Sequence, residues 1–448
     1  MSANFKDVYR DRPLLLSPDM REWVPDDDMV HFILEAVSLV SMDTFKVNYR
    51  GTGSKQYPPR MMLALLIYCY ANGVFSSRRI ERATYRDIAV RYLTGNTHPD
   101  HDTISAFRRK NFEAFSAAFL EVLKLASELK LLKVGNISVD GTHIKANASK
   151  YKNIQYGRAC ALEQKLTDDI AELMRQAERA DSASSEDGQR IPEGIVRREK
   201  LQRQMRLAKE KLEAQARKRA EAEQADYKRK CAAREARSEQ RGRKPKPPAT
   251  GPMESELVNM TDKDSRIMRK SKRSEYTQSY NAQAAVDADG SQLVLHSHVT
   301  NCASDGNELL PAVVGVMDNV GQPSTVLADA GYINRDGFEK IEELCVEPFV
   351  APRRQERREY DFRALKEKAE KPINDPYFQA MREKLDSEEG RRLYALRKQT
   401  VEPVFGIIKQ ALGFRQFLLR GLQKVSGEWE LVCLAYNVKR LFTLKCAA

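Results

Sequence analysis

Two aspartates in this sequence stand where a carboxylate is costly unless something compensates its charge. Asp140 lies inside the stretch 134–146, whose β-branched and alternating residues predict a strand, and Asp329 lies near the end of a second predicted strand at 324–330. In a sheet covered on both faces, such a carboxylate needs a charged partner or a metal ion. Two adjacent carboxylates repel each other, and a hard divalent cation removes that penalty because it takes oxygen ligands. The aspartates therefore predict a cation site if the fold brings them together.

The predicted elements around the two aspartates supply that proximity. Between residues 134 and 352 the pattern predicts one strand, then a hairpin of two strands, then helices and strands in alternation. Three antiparallel strands followed by parallel ones indicate an α/β fold with a ribonuclease-H-like mixed sheet of five strands. In this order the middle of the first strand lies beside the end of the fourth. The strands are predicted at 134–146, 281–288, 291–300, 324–330 and 346–352, with a tight turn at Asp289 and Gly290 and helices at 308–320, 334–344 and 390–412.

The N-terminal region, residues 1–132, is predicted to be helical. Its short helices and polar turns are typical of a helix-turn-helix DNA-binding domain. The segment 103–111 would present Arg108, Arg109 and Lys110 near the start of a recognition helix, where side chains contact bases and phosphates. The alternative is an ordinary basic helix face that contacts only solvent.

A basic helical hairpin is predicted to interrupt the sheet after its first strand, over residues 157–250. Residues 191–250 hold 19 lysines and arginines against 9 aspartates and glutamates, so they carry +10 of the formal net charge of +12. Arg241 and Arg243, separated by one glycine, resemble a minor-groove hook, but Lys244 stands where proline would close the hook. A basic flexible linker is the favoured interpretation. We therefore predict three parts. Residues 1–132 form the helical DNA-binding domain, residues 133–156 and 251–448 together form the sheet domain, and residues 157–250 form the insertion.

The composition is that of a basic, globular protein. The pI is about 9.2, which favours a polyanion such as nucleic acid as the partner, although many soluble proteins are basic. Seven dispersed cysteines without zinc spacing fit a reducing cytosol. The longest apolar run, 61–75, is too short to span a bilayer, so we expect a cytoplasmic protein without a membrane partner.

Four stretches make the chain resemble the DDE transposases of bacterial insertion sequences, especially those with an InsH-like helical N-terminal domain. They occur in the family's order and lie within about residues 10–440, which the resemblance covers. In this family the aspartate of the D-G-T strand, the aspartate of D-A-G-Y and the glutamate of the last helix hold the metals. The resemblance thus implies Asp140, Asp329 and Glu402 as catalytic metal ligands. The stretches are VDGTHIKANASKYK at 139–152, TDKDSRIMRKSKRSEYTQSYNAQAAVD at 261–287, VLADAGYIN at 326–334 and RKQTVEPVFGIIKQALGFRQFLLRG at 397–421.

Related transposases carry a Tyr-Arg-Glu-Lys signature around that glutamate. Lys409 stands seven residues after Glu402, as the signature requires, and is implied to hold a transposon-end phosphate. Upstream the match slips, because Tyr394 and Arg397 are one residue too far away and Lys398 occupies the arginine position. Arg266, in the stretch before the second strand, is a further candidate DNA contact.

The resemblance also implies a reaction and its partners. Two Mg²⁺ ions, with Mn²⁺ able to substitute, would support cleavage of DNA at terminal inverted repeats and transfer of the freed end into target DNA. Bringing two ends together implies at least a homodimer on DNA, in the bacterial cytosol and associated with the nucleoid. The alternatives are a catalytically inactive or domesticated DNA-binding protein, and a ribonuclease-H-like nuclease that does not transfer strands.

Overall fold

The computed structural model describes residues 19–47, 55–183, 190–235, 244–269, 274–352, 373 and 375–447. Six helices come first and surround an apolar centre. The second of them follows Pro58 and has Pro59 in its first turn, where a missing N–H costs nothing. Its middle residues are buried on all sides, as the apolar run predicts. These helices are α1 (Met29–Ser38), α2 (Pro59–Ala71), α3 (Ser77–Arg86), α4 (Ile88–Leu93), α5 (His101–Lys110) and α6 (Phe112–Glu128).

The rest of the described residues contain the strands and seven more helices. Asp329, Asn334 and Ser387 each cap a turn or helix by accepting a backbone N–H. The strands are β1 (Asn136–Lys145), β2 (Asn153–Gln155), β3 (Leu257–Asn259), β4 (Arg266–Met268), β5 (Thr277–Asp287), β6 (Val294–Thr300), β7 (Thr325–Ala328) and β8 (Glu347–Val350). The helices are α7 (Tyr156–Ala183), α8 (Arg190–Glu235), α9 (Leu309–Val320), α10 (Arg335–Glu343), α11 (Pro376–Asp386), α12 (Glu388–Gly406) and α13 (Leu422–Ala447).

The main sheet is mixed and has six strands in the described chain, in the order β4-β5-β1-β7-β8, with β6 also paired to β5. β1 is antiparallel to β5 and parallel to β7, and β7 is parallel to β8. The prediction of a mixed α/β sheet behind a helical N-terminal region is confirmed. The count of five strands was one too low, because β4 has only three residues and too short a pattern to recognise.

Two predicted boundaries also differ. The β5–β6 hairpin is present, but residues 288–293 separate its strands, so the connection is longer than the tight turn expected at Asp289 and Gly290. A bulge between Ala285 and Val286 accompanies this longer connection. The helix expected over 390–412 begins at Glu388 and changes at Ile407–Ala411 into a π-helical turn.

A two-helix insertion, α7 and α8, lies between β2 and β3, which pair with each other at its base. The helices pack antiparallel, since Lys209 pairs with Glu163 while Arg198, earlier in α8, pairs with Asp169, later in α7. The insertion has a small apolar core that it shares with β2 and β3, and α8 also forms ion pairs with Asp264 and Asp336 outside the insertion. That core includes Ile154, Ala159, Leu166, Met205, Ala208, Leu212 and Val258.

One hydrophobic core joins the N-terminal helices to the sheet. α13 contributes to this junction because it packs against α2, α6 and β6. Its Trp429 is fully buried and donates from Nε1 to the carbonyl of Gln283 in β5 at 3.0 Å. None of the helices within the described ranges combines the length and apolarity needed to cross a membrane.

Candidate active site

Asp140 and Asp329 come from neighbouring parallel strands. Ser138 of β1 is aligned with Leu327 of β7, and continuing this register by two residues brings Asp140 level with Asp329. β7 ends at Ala328, where the chain turns, and Asp329 caps that turn by accepting the N–H of Gly331 at 2.7 Å. The proximity that strand order predicted for the two aspartates is present.

The carboxyl of Asp140 lies in a place that disfavours its charge. Its pKa is raised to about 7, mainly by burial and to a smaller extent by the nearby carboxylates of Asp329 and Asp305, against the opposing effects of a hydrogen bond and Arg397. The hydrogen bond comes from the N–H of Gly141 at 2.8 Å. A divalent cation between these carboxylates would remove their repulsion.

Asp305 is a third carboxylate at this place, and sequence reasoning missed it. It lies in the loop between β6 and α9, where its Oδ1 accepts from Asn281 Nδ2 and from Gln283 Nε2, both at 2.7 Å. The Tyr332 hydroxyl donates to Gln283 Oε1. The one sequence signal for this carboxylate was that Asn281 and Gln283 alternate along one face of β5. Two buried side-chain amides on one face need hydrogen-bond acceptors.

Two glycines allow Asp305 to approach both aspartates. A Cβ at Gly141 would lie 2.6 Å from Asp305 Oδ1 and 2.2 Å from Gln283 Nε2. A Cβ at Gly331 would lie 2.8 Å from Asp329 Oδ1 and 3.4 Å from Asp305 Oδ2. The glycines that follow Asp140 and Asp329 in the D-G-T and D-A-G-Y stretches therefore leave room for the third carboxylate.

Glu402 lies on α12, and its side chain is half exposed. Its Oε1 is 3.4 Å from Nη2 of Arg397, whose own side chain is only 12% exposed. Arg397 also lies over the ring of Tyr394 at 5.7 Å and lowers the pKa of Asp140. Arg397 thus interacts electrostatically with both Glu402 and Asp140, whereas Lys398, the residue in the signature's arginine position, is exposed.

Lys409 contacts the first strand directly. Its Nζ donates to the hydroxyl of Thr142 and lies 3.3 Å from the carbonyl of His143. Thr142 is the last residue of the D-G-T triplet, so the ammonium group is anchored two residues from Asp140. The structure therefore brings Lys409 to the same strand as the acidic site.

The other predicted DNA contacts have different surroundings. The prediction that Arg108 contacts DNA is corrected by the structure. Its side chain is buried, and it donates from Nη1 to the Tyr70 hydroxyl at 2.9 Å and to the Phe75 carbonyl at 3.0 Å. It also lies 3.8 Å from the carboxylate of Glu428, so it cannot present its charge to DNA in this conformation. Arg109 and Lys110 are exposed, but they occupy the last turn of α5 and not its start.

The guanidinium of Arg266 is bound by helix α8 of the insertion. Its Nη2 donates to Gln215 Oε1 on α8 at 2.5 Å, and its Nη1 donates to two carbonyls of its own loop. Burial lowers its pKa. The neighbouring Asp264 pairs with Lys211 of α8 at 2.6 Å, so this stretch fastens α8 to the sheet. Arg241 and Arg243 lie outside the described residues.

The donor set suits a hard divalent cation in its chemistry, since the groups from β1, β7 and the β6–α9 loop are all carboxylates. Among the described residues, however, no three of the histidine, cysteine, aspartate and glutamate side chains already converge to hold an ion. The aspartate pair and Asp305 therefore fit the chemistry of such an ion, and Glu402 is engaged with Arg397.

Comparison with known families gives two matches. A family model described as "Transposase domain (DUF772)" matches residues 18–110, and one described as "Transposase DDE domain" matches residues 355–442. The second match includes Glu402 and Lys409, while Asp140 and Asp329 lie outside both. Searches of curated proteins and of solved structures found no match. The two matches, one at each end of the chain, support its assignment to the DDE transposases of insertion sequences.

Proposed function

We propose that the chain binds the terminal inverted repeats of an insertion sequence, cuts the DNA there and joins the freed end to target DNA. The observation that carries the proposal is the shared position of Asp140 and Asp329 on two adjacent parallel strands, with the charge of Asp140 disfavoured by its surroundings. Carboxylates forced together in this way are suited to hold cations, and the family matches supply the reaction class.

We assign the metal ligands as Asp140, Asp329 and Glu402. A bound pair of Mg²⁺ ions supplies activation of the attacking oxygen and stabilisation of the leaving oxygen in an in-line displacement at phosphorus. To bind a metal ion, Glu402 would have to give up its ion pair with Arg397. A DNA phosphate is a suitable new partner for the released guanidinium. Asp305 would hold Asn281 and Gln283 in place beneath the aspartates.

The DNA contacts in this proposal come from several elements. Lys409, anchored at Thr142, would hold a phosphate of the transposon end near the acidic site, and exposed Lys398 would contribute on the same helix. Arg109 and Lys110 remain candidates at the end of α5. Arg266 would act indirectly, through α8, and Arg241 and Arg243 would belong to the basic linker.

The larger organisation is part of the same proposal. The sheet domain would be ribonuclease-H-like, formed by 133–156 and 251–448, with 1–132 as the DNA-binding domain and 157–250 as the insertion. Two copies would hold two transposon ends, because joining both ends requires two active sites. The protein would act in the cytosol, at the nucleoid.

One assay tests the proposal against its rivals. The full chain is incubated with Mg²⁺, a target plasmid and a labelled duplex that carries the terminal repeat of its own element. Joined product is the expected result. Cleavage without joining would favour a nuclease, and binding without cleavage would favour a DNA-binding protein that lacks catalysis. Joining that persists in Asp329→Ala would overturn the ligand assignment.

A further inference from the structure

Helix α3 carries a face of exposed arginines that no predicted site includes. Arg78, Arg82 and Arg86 follow one another at four-residue spacing, and Arg79 and Tyr85 lie beside them. At about 100° per residue, the five side chains fall within roughly a third of the helix circumference. All four arginines are exposed, and Tyr85 is 58% exposed. The opposite face holds Ile80 and Thr84 in the interior, so the arginine face has a fixed orientation.

The charge of this face is uncompensated in the described structure. Within the described residues, none of the four arginine side chains has a hydrogen bond or an ion pair. The single carboxylate of α3, Glu81, contacts a residue of another helix: its Oε2 lies 2.9 Å from Nδ1 of His101 on α5. Three arginines at four-residue spacing repel one another along the helix. Two more facts increase the cost: Arg78 and Arg79 lie in the first turn, at the positive end of the helix dipole, and that turn has no acidic residue.

The dimensions of the face match duplex DNA. Arg78 and Arg86 are eight residues apart, which is about 12 Å along the helix axis. This length is close to the width of the major groove, roughly 12 Å, so guanidinium groups at the two ends can contact phosphates on its opposite sides. Tyr85 is held rigidly beside them, because its ring stacks on His98 with centroids 3.9 Å apart.

We propose that α3, and not α5, is the helix of the N-terminal region that contacts the transposon-end duplex. This inference rests on the proposed function and names the surface that performs its binding step. α5 is excluded as the main basic surface because its arginine nearest the core, Arg108, is buried against Tyr70. The remaining α5 cations, Arg109 and Lys110, are at the end of the helix, whereas α3 is basic along its whole length.

The test compares two triple variants of the full chain with the same loss of charge. The first is Arg78→Gln with Arg82→Gln and Arg86→Gln. The control is Lys133→Gln with Lys340→Gln and Lys424→Gln, three exposed lysines on other parts of the surface. Fluorescence anisotropy measures the Kd for the transposon-end duplex at several salt concentrations, and circular dichroism melting verifies that each variant is folded.

Each lost phosphate contact should reduce the slope of log K against log salt by about 0.9. The α3 variant should therefore lose a slope of about 2.7 and bind on the order of a hundredfold more weakly at 0.15 M salt. The lysine control should bind nearly as the wild type does. A version with lysine at all three α3 positions should keep most of the slope, since phosphates accept either cation. If the triple variant melts early, Arg82→Gln alone should still lower the slope by about one.

An α3 variant with the wild-type Kd and salt slope would overturn this inference and leave the proposed function intact, provided that strand joining persists. Equal losses in the α3 variant and in the lysine control would also overturn it, because net charge alone would then explain binding. Stronger binding of an RNA duplex of the same sequence would assign the face to another nucleic acid. Failure of the wild type to bind the transposon-end duplex would contradict both proposals.

Discussion

Two regions of this molecule hold charged side chains away from water. One pairs opposite charges, and the other brings like charges together. Beneath the N-terminal helices, the buried Arg108 faces the buried Glu428, and Glu428 Oε2 also accepts the N–H groups of Leu418 and Leu419 at 3.0 and 2.9 Å. At the acidic site, Asp140 faces Asp329 and Asp305, which carry the same charge. A compensated buried charge serves the fold, whereas one left in repulsion is available to a ligand.

The largest effect should come from removing charge at the acidic site. Asp140→Asn should reduce strand joining by at least about 10³-fold, because the cation loses a ligand at the reacting phosphate. The free protein should meanwhile become slightly more stable, by about 1 kcal/mol, since a repelled carboxylate is gone. Joining assays and thermal melting measure the two effects. A variant that is both less active and clearly less stable would show that the charge of Asp140 stabilises the fold.

Removing charge from the buried pair of Arg108 and Glu428 should instead lower stability. Arg108→Met leaves Glu428 without its counter-charge and should cost about 3–5 kcal/mol of unfolding free energy. The measurement is urea unfolding followed by circular dichroism. Arg108→Met combined with Glu428→Gln should recover much of the loss, because no lone charge is then buried. If Arg108→Met were as stable as the wild type but bound DNA poorly, Arg108 would be a DNA contact after all.

A half-buried histidine that stays neutral at pH 7 offers a third comparison. Burial lowers the pKa of His296 to about 4, with a smaller contribution from His298. The ring packs against α9, where a Cβ at Gly315 would lie 2.3 Å from it. The pKa of His296 is lower in the folded protein than in the unfolded chain, where it is near 6.5. Its contribution to the free energy of unfolding is therefore complete above pH 6.5 and is lost as the pH falls toward 4. The loss should reach up to about 3 kcal/mol.

Thermal melting between pH 4 and pH 7 tests this expectation. His296→Gln should melt lower at pH 7 because its amide fits the site less well, but its melting temperature should fall less steeply toward pH 4. His298 needs a parallel control, His298→Gln, since its Nε2 lies 3.0 Å from Glu308 Oε2 and the two rings are neighbours. An unchanged pH dependence in His296→Gln would assign the effect to other groups.

The smallest effect that we expect at the acidic site concerns Asp305. Asp305→Asn should weaken Mn²⁺ binding to the free protein by about 10- to 100-fold, as is usual for a carboxylate that lies next to the metal ligands. Titration calorimetry measures it without DNA or turnover. Asp318→Asn, on α9, is a matched control outside the site. Wild-type Mn²⁺ affinity in Asp305→Asn would show that this carboxylate only supports Asn281 and Gln283.

Much of the architecture was readable from local pattern. The alternation of strand residues and the order of strands and helices placed Asp140 beside Asp329, because parallel pairing in that order leaves few arrangements. The buried helix α2 was visible as an apolar run that opens at paired prolines. These features depend on periodicity and chain order, which are properties of neighbouring residues.

What only the tertiary structure decided were contacts between residues far apart in the chain. Arg108 belongs to a basic run that is typical of a surface, and it is buried because Tyr70 and Glu428, from two other helices, meet its guanidinium. Asp305 joins the site because Asn281 and Gln283 of another strand bind it. Local sequence sets the propensity of a segment and the face that it buries, but the free energy of a buried charge depends on which distant groups surround it.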